Sequence, residues 1–181
     1  MTTHKSLPTP RRDALRYAEG RCALGSFLLA ETDAGICALL FGSSSKERRT
    51  DLRRRFPRAV LVGEDADFQK RTDRLAQHLR TSLKSKEIPL DLHGTAFQLR
   101  VWQTLQKIPA GQTATYSEIA QAIGRPGSAR AVAAACAANN IAVLIPCHRV
   151  VRKDGNLAGY RWGMDRKQTL LSKEGVDFQR K

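Results

Sequence analysis

The stretch that decides the fold of the C-terminal half is residues 115–150, TYSEIAQAIGRPGSARAVAAACAANNIAVLIPCHRV. Residues 117–123 predict a short helix, which the Gly–Pro turn at 124–126 ends. Ser128 is placed to cap a second helix, which ends just before Asn139. Two short helices joined by such a turn predict a helix-turn-helix.

The second of these helices is rich in alanine and carries one long polar side chain, that of Arg130. A helix that reads bases in the major groove needs Arg, Asn or Gln on its exposed face. A slim helix with one projecting side chain instead suits close approach to DNA without sequence readout, in the minor groove. The same alanines would also let the helix pack tightly in a core, and the pattern alone leaves both interpretations open.

The segment IPCHRV, residues 145–150, places a cysteine beside a histidine. A nucleophilic cysteine needs thiolate character; an imidazole can take its proton and a carboxylate can orient that imidazole. Adjacent residues of an extended chain point to opposite faces, so Cys147 and His148 meet only if the segment turns or a water bridges them. Glu174, at the end of a predicted helix, is the candidate carboxylate. Chemistry alone favours a buried structural cysteine beside a surface histidine.

Apolar periodicity predicts an α/β fold for the whole chain. The first half alternates strand and helix patterns, with strands over 25–30, 36–41 and 88–92 and helices over 46–56 (capped by Ser45) and 65–83. The second half adds helices over 96–107 and 167–173. We therefore predict a lead-in (1–13), a small N-terminal sheet-and-helix domain (14–93) and a mostly helical C-terminal domain with the helix-turn-helix (94–181).

The charge balance favours a polyanionic partner. Lys and Arg total 31 against 17 Asp and Glu, a net charge of +14, which raises encounter rates with nucleic acid; a surface charged only for solubility is the alternative. No apolar run approaches the roughly 20 residues of a membrane span. Residues 1–10 lack the apolar core of a secretory signal, so a cytoplasmic protein is expected. The four cysteines contain no C-x₂-C pair, which argues against structural zinc.

The stretch from Thr115 to Gly175 closely resembles the O6-alkylguanine-DNA alkyltransferases. Residues 145–150 match that family's active-site signature without departure, and residues 115–120 and 129–132 and Asn139 fall in register. Residues 35–40 and 94–98 are similar to the alkyltransferase domain of the bacterial adaptive-response regulator, so the likeness runs from about Ala14 onward. The regulator's separate metal-binding domain has no counterpart in the sequence, so activation of transcription by that route is not expected.

The resemblance implies a DNA repair enzyme, a single-turnover methylated-DNA–[protein]-cysteine S-methyltransferase. It would flip O6-alkylguanine out of duplex DNA and transfer the alkyl group irreversibly to Cys147, restoring guanine. His148 would move the proton through water, and Glu174 would hold the imidazole in the useful tautomer. Asn139 would stabilise the turn before the active-site strand. Tyr116 would contact the adjoining phosphate and hydrogen-bond the flipped base.

The resemblance also assigns the DNA contacts and the base pocket. Arg130 would fill the space that the flipped base leaves, on the minor-groove side of the duplex. Its neighbours would share the DNA surface: Gly127, Ser128 and Ala129. The backbone carbonyls of Cys147 and Val150 would read the exocyclic amine of guanine, and the pocket rim would carry Tyr160, Arg161 and Trp162.

Two departures from the family pattern carry their own expectations. Trp162 stands where members that accept bulky groups have a small residue, so it is expected to narrow the pocket and to favour methyl over benzyl. Some members bind zinc with Cys and His residues of the first half. That region has Glu31 and no matching pair of Cys and His here, so no metal is expected. We also expect no cofactor, and we expect the protein to be a monomer.

Three other functions fit parts of the pattern. A non-catalytic binder of alkylated DNA would not need Cys147. A helix-turn-helix regulator would need more base-reading side chains than Arg130. A cysteine hydrolase would need an oxyanion hole, for which the sequence shows no separate signature.

Overall fold

The computed structural model describes residues 14–63, 65–81, 88–157 and 159–176. The predicted lead-in, 1–13, lies outside these ranges. Within them the chain forms a mixed α/β fold, as the apolar periodicity predicts. None of the helices in these ranges has the length and apolar character needed to cross a membrane.

The N-terminal half is a sheet with two helices packed on it. Its elements are β1 (Ala14–Cys22), β2 (Gly25–Thr32), β3 (Gly35–Phe41), α1 (Ser45–Arg55), β4 (Val60–Val62) and α2 (Ala66–Thr81). Among the described residues the sheet has the strand order β3-β2-β1-β4. The pairs β1–β2 and β2–β3 are antiparallel, and β4 runs parallel to β1.

Strand β3 connects this sheet to the other half of the chain. Its start depends on Gly35, which has a φ of 147° and whose missing Cβ would lie 2.5 Å from the carbonyl oxygen of Pro89. Further along, Leu39 donates its N–H to the carbonyl of Asn140 at 2.9 Å, and Ala142 donates back to the carbonyl of Leu39 at 3.0 Å. The loop that precedes the IPCHRV segment is therefore fixed to the edge of the N-terminal sheet.

The C-terminal half is mostly helical. Its elements are α3 (Ala96–Leu105), β5 (Ala114–Thr115), α4 (Tyr116–Ala122), α5 (Ala129–Ala137), β6 (Val150–Val151) and α6 (Met164–Lys173). A capping box between Thr115 and Glu118 fixes the start of α4. Helix α3 packs on α5, where the indole N–H of Trp102 donates to the carbonyl of Ala135 at 2.8 Å.

The alanines of α5 lie on both the buried and the exposed side of the helix. Ala135 is buried with Val132 and Cys136, so this side of the helix packs into the core. Ala131 and Ala134 are exposed, so the opposite side presents a smooth surface without bulk. Buried apolar residues of both halves belong to one continuous core, and the division at residues 93 and 94 stays a prediction.

Most predicted elements are present, strands β1 and β4 were not predicted, and four details of the predicted elements were wrong. Ser44, not Ser45, caps α1, because its Oγ accepts from the N–H of Glu47 at 3.1 Å. Residues 88–92 form one isolated bridge at Leu90 instead of a strand. Ser128 precedes α5 but does not cap it, because its hydroxyl donates to the carbonyl of Arg125 at 2.7 Å. Helix α6 begins at Met164, three residues before its predicted start.

Candidate active site

Cys147 lies at the start of a short 3₁₀ turn, residues 147–149, that follows Pro146. The N–H of Cys147 donates to the carbonyl of Ile145 at 2.8 Å, and the N–H of Arg149 donates to the carbonyl of Pro146 at 3.0 Å. The chain therefore turns at Cys147. A turn of this kind is one of the two ways in which the thiol and the following imidazole could share one site. The side chains of both Cys147 and His148 are buried.

Asn139 holds the loop that ends at Cys147. Its Oδ1 accepts from the N–H of Ile141 at 2.8 Å. Its Nδ2 faces three acceptors: the carbonyl of Ile141 at 3.3 Å, the carbonyl of Ile145 at 3.1 Å and the Sγ of Cys147 at 3.2 Å. Within this loop Val143 has a φ of 68°, a strained conformation for a β-branched residue that the surrounding contacts must maintain.

The thiol of Cys147 is neutral at rest. Burial raises its pKa, and the hydrogen bond from Asn139 and the nearby charge of Lys167 oppose this rise only in part. Lys167 is itself fully buried and donates to the carbonyl of Val150 at 2.6 Å. Burial lowers the pKa of Lys167 to about 8. The thiol therefore needs a base before it can act as a nucleophile, and a buried cation is available to stabilise the thiolate.

The base candidate is His148, which is paired with Glu174. Its Nε2 lies 2.9 Å from Oε1 of Glu174. Its Nδ1 is buried without a hydrogen-bond partner among the described residues. Burial lowers the pKa of His148, and the carboxylate of Glu174 does not fully offset this. A neutral ring that donates from Nε2 leaves the lone pair of Nδ1 free to accept a proton.

Arg149 keeps Glu174 ionised. Its Nε and Nη2 donate to the carboxylate at 2.8–3.2 Å, and its Nη1 donates to the carbonyl of Ile108 at 2.5 Å. Burial by itself would raise the pKa of Glu174, but the hydrogen bonds from His148 and Arg149 outweigh it and hold that pKa at about 2. The carboxylate is therefore charged at neutral pH and fixes the tautomer of the imidazole.

A cavity of about 500 Å³ opens in front of Cys147. It is lined by residues of α4, α5, the 147–149 turn and the segment between β6 and α6: Tyr116, Ala133, Cys136, Ala137, Cys147, Arg152, Gly159, Tyr160 and Arg161. Burial raises the pKa of Tyr116 to about 12 and that of Tyr160 well above its ordinary value. Both phenols thus stay protonated and can donate a hydrogen bond to a ligand in the cavity.

Of the four residues predicted to form the pocket, Tyr160 and Arg161 line the cavity and Val150 and Trp162 do not. Val150 is fully buried, and its carbonyl already accepts the hydrogen bond from Lys167. Trp162 does not line the cavity at Cys147. Its ring packs edge-on against Phe41 and borders a different cavity, beside α1. Trp162 contacts Arg161, which does line the Cys147 cavity.

The predicted DNA-contact residues lie on the exposed side of α5 and the turn before it. Arg130 is exposed and forms no ion pair within the described part of the chain. Gly127 has a φ of 88°, which suits glycine. Ser128 and Ala129 are half-buried at the start of α5. This side of the molecule carries a free guanidinium next to a smooth alanine surface.

Several residues of the site carry no sequence-based prediction. Cys136 and Arg152 line the cavity, and Arg149 and Lys167 bind Glu174 and the carbonyl of Val150, respectively. A buried cation needs an anion or a carbonyl partner. The partners lie 25 residues away in sequence for Arg149 and 17 for Lys167, so no local pattern reveals them. Glu31, the residue in place of the zinc ligands, binds Arg16 at 3.0 Å and Arg71 at 2.7 Å. In the described ranges no group of three or more metal-ligating side chains lies together.

Comparison with known proteins identifies the family. The family model "6-O-methylguanine DNA methyltransferase, DNA binding domain" matches residues 96–176. The inducible methylated-DNA–protein-cysteine methyltransferase of Bacillus subtilis is 40% identical over 152 residues, which cover 82% of this chain and 84% of that protein. The chain belongs to the methylated-DNA–protein-cysteine methyltransferase family.

Other relatives of the methyltransferase family agree with this assignment. The bifunctional transcriptional activator/DNA repair enzyme Ada of Escherichia coli is 47% identical over 167 residues, or 92% of this chain. The chain spans about half the length of that relative, 47%. The crystal structure of Mycobacterium tuberculosis OGT in complex with DNA is 35% identical, with a TM-score of 0.73 over 89% of this chain and 92% of that one.

Proposed function

We propose that this protein repairs DNA by flipping O6-alkylguanine out of the duplex and moving the alkyl group irreversibly onto Cys147. One observation carries the proposal. A buried thiol faces a cavity of about 500 Å³ and lies next in sequence to His148, which pairs with Glu174 through Nε2 and whose Nδ1 has no hydrogen-bond partner among the described residues. The names of the relatives, which include methylated-DNA–protein-cysteine methyltransferases, point to the same chemistry.

The transfer is a displacement at the alkyl carbon. His148 takes the thiol proton at Nδ1 through a bridging water, and Lys167 stabilises the resulting thiolate. The sulfur forms a bond to the alkyl carbon while the bond from that carbon to O6 of guanine breaks. The electron pair leaves with guanine, which takes up one proton from solvent, and the proton that His148 took from the thiol returns to solvent. The product thioether is not hydrolysed, so each molecule reacts once, and the thiol itself is the acceptor, so no cofactor is needed.

The cavity walls supply the leaving-group chemistry. Guanine leaves with developing negative charge, and a neutral phenol close to the thiol can donate a hydrogen bond to it. Tyr116 fits this role because its pKa of about 12 keeps it protonated. The carbonyl of Cys147 is the proposed partner of the exocyclic amine of guanine, whereas the carbonyl of Val150 is bound to Lys167 and lies outside the cavity.

The exposed side of α5 is the proposed DNA surface. The smooth face around Ala131 and Ala134 can approach the minor groove closely. Arg130 would enter the base stack in place of the flipped nucleotide, and the backbone of Gly127, Ser128 and Ala129 would meet the phosphates. The helix-turn-helix of α4 and α5 would thus bind DNA without reading sequence. We expect the protein to act as a monomer in the cytoplasm.

The proposal is tested by the stoichiometry of repair. Duplex DNA with one O6-methylguanine is mixed with a limiting amount of protein, and guanine and O6-methylguanine are quantified after hydrolysis of the DNA. One guanine restored per protein molecule, and none with Cys147→Ser, is the expected result. Repeated turnover would indicate a hydrolase. Tight lesion binding without any restored guanine would indicate a damage binder.

A further inference from the structure

Two arginines from different halves of the chain contact the ring of one buried tryptophan. The guanidinium carbon of Arg55, the last residue of α1, lies 5.7 Å from the ring centroid of Trp162. That of Arg161 lies 5.2 Å from the same centroid. Trp162 is 5% exposed, so the ring in both contacts is removed from water. Cation–π contacts are stronger when they are desolvated.

Asp51 binds both arginines and keeps them together. Nε of Arg55 donates to its Oδ2 at 3.0 Å, and Nη2 of Arg161 donates to its Oδ1 at 3.1 Å. Without this carboxylate, the like charges of Arg55 and Arg161 would lie close together beside one buried ring, and they would separate toward solvent. We call the side chains of Asp51, Arg55, Arg161 and Trp162 the Asp51 latch.

The latch also grips the C-terminal end of α5. Nη1 of Arg161 donates to the carbonyl of Ala137 at 3.4 Å, and Nη1 of Arg55 donates to the carbonyl of Ala138 at 3.5 Å and to Oδ1 of Asn140. These carbonyls carry the negative end of the helix dipole, which favours cations. Helix α1 is thereby joined to the end of α5 opposite Arg130 and to the loop that leads to Cys147.

The residues that the latch holds are part of the cavity wall. Arg161 and Ala137 both line the cavity in front of Cys147, and Tyr160 is the preceding residue on the same segment. Arg161 is only partly exposed, at 28% of its side chain, and its direction is set by Asp51, which belongs to the N-terminal half.

From these contacts we infer that the Asp51 latch positions the lip of the active-site cavity, so that helix α1 of the N-terminal half sets the space available to the flipped base and its alkyl group. Asp51 and Arg55 are positioning residues, because neither lines the cavity. The inference rests on the proposed function, since it assigns a role in the same reaction. On this inference, the N-terminal half affects alkyl transfer by positioning the cavity wall, and its residues do not contact the reacting atoms.

The test compares Asp51→Asn with Asp67→Asn, a matched control at an exposed carboxylate of α2 whose one recorded ion pair is with Lys70. Single-turnover transfer is measured at saturating duplex DNA with O6-methylguanine and with O6-benzylguanine. The Kd for lesion DNA is measured in a Cys147→Ser background. Melting temperature and the titratable fraction of Cys147 show whether each variant is folded.

Loss of the latch should slow methyl transfer at saturation about tenfold, because a displaced wall misplaces the reacting atoms, and leave Kd unchanged. A loosened lip should also raise the ratio of benzyl to methyl rates, whereas a general folding defect lowers both rates equally. Asp51→Glu, which keeps the charge, should recover most of the rate. Trp162→Phe, which keeps the apolar packing, should raise the ratio of benzyl to methyl rates less than Asp51→Asn does. It takes the place of Asp51→Asn in the test if that variant does not fold.

The latch is refuted if a folded Asp51→Asn protein transfers methyl at the wild-type rate, or if its two rates fall by one common factor. If wild type itself transfers nothing to Cys147, the proposed function fails. If wild type transfers normally and the ratio does not move in either latch variant, only the latch fails.

Discussion

Truncating Asn139 to alanine should destabilise the loop that carries the thiol and slow alkyl transfer. The side chain is fully buried and contacts four groups. The carbonyls of Ile141 and Ile145 keep other partners, because the N–H groups of Ile145 and Cys147 donate to them at 3.1 and 2.8 Å. The N–H of Ile141 has Oδ1 of Asn139 as its recorded acceptor, and the truncation leaves it unsatisfied.

The magnitude follows from these contacts. One buried N–H left without a partner costs about 1–3 kcal/mol, and the void left by the amide adds about 1 kcal/mol. We therefore expect the free energy of unfolding to fall by about 2–4 kcal/mol. The strained backbone of Val143 (φ 68°) is free to relax once the loop loosens. Because the hydrogen bond from Asn139 lowers the pKa of the Cys147 thiol, its loss should also move the pH–rate profile of transfer to higher pH.

The assay is urea unfolding at pH 7 together with single-turnover transfer across a range of pH. The matched control is Asn156→Ala, because Asn156 is exposed and its side-chain amide pairs with the neighbouring Asp154. Asn139→Asp adds a second check. Its carboxylate would face two carbonyls and the sulfur, so the variant should be least stable above the ordinary carboxyl pKa and should recover as pH falls. A loss below about 1 kcal/mol for Asn139→Ala, with an unmoved pH–rate profile, would contradict this account of the loop.

Three further substitutions test separate parts of the site. The pKa of Glu174 is lowered from 4.5 to about 2, so the stability it contributes is complete above pH 4.5 and is lost as pH falls. In urea unfolding, the difference in free energy of unfolding between wild type and Glu174→Gln should therefore shrink by roughly 2 kcal/mol between pH 6 and pH 3. A difference that stays constant over this range would rule this out. Lys167→Met should slow transfer at pH 7 and remove the flattening of the wild-type pH–rate profile expected above the Lys167 pKa of about 8; identical profiles would exclude a role for the buried cation. Arg130→Ala should slow repair of duplex DNA about tenfold or more without slowing reaction with free O6-methylguanine base, and equal losses on both substrates would remove Arg130 from base flipping.

The elements with strong periodicity or clear end signals could be predicted from the sequence. Strands β2 and β3 flank a turn, and α4 begins with a capping box and ends at Ala122, two residues before Gly124. Strand β4, Val60–Val62, was missed because three residues are too few to show a periodicity. Within the described residues it pairs with the first three residues of β1. Residues 88–92 alternate like a strand, but the backbone of this segment meets the sheet only around Ile36.

The site was predictable where chemistry is local and unpredictable where it depends on packing. Cys147, His148 and Asn139 lie within ten residues, and their motif carries the family resemblance. The burial of Lys167, the bidentate grip of Arg149 on Glu174, and the place of Trp162 in the latch depend on how α6 and α1 pack against the loop. No pattern along the chain encodes these approaches, because each joins residues that are far apart in sequence.

The most direct test of alkyl transfer to Cys147 is the mass of the intact protein after reaction with duplex DNA that contains O6-methylguanine, followed by peptide mapping, with Cys147→Ala in parallel. We predict a gain of one methylene group per wild-type molecule, located on Cys147, and no gain for the variant. An unchanged wild-type mass after full exposure to the lesion, or a methyl group located on another residue, would contradict the assignment of Cys147 as the acceptor.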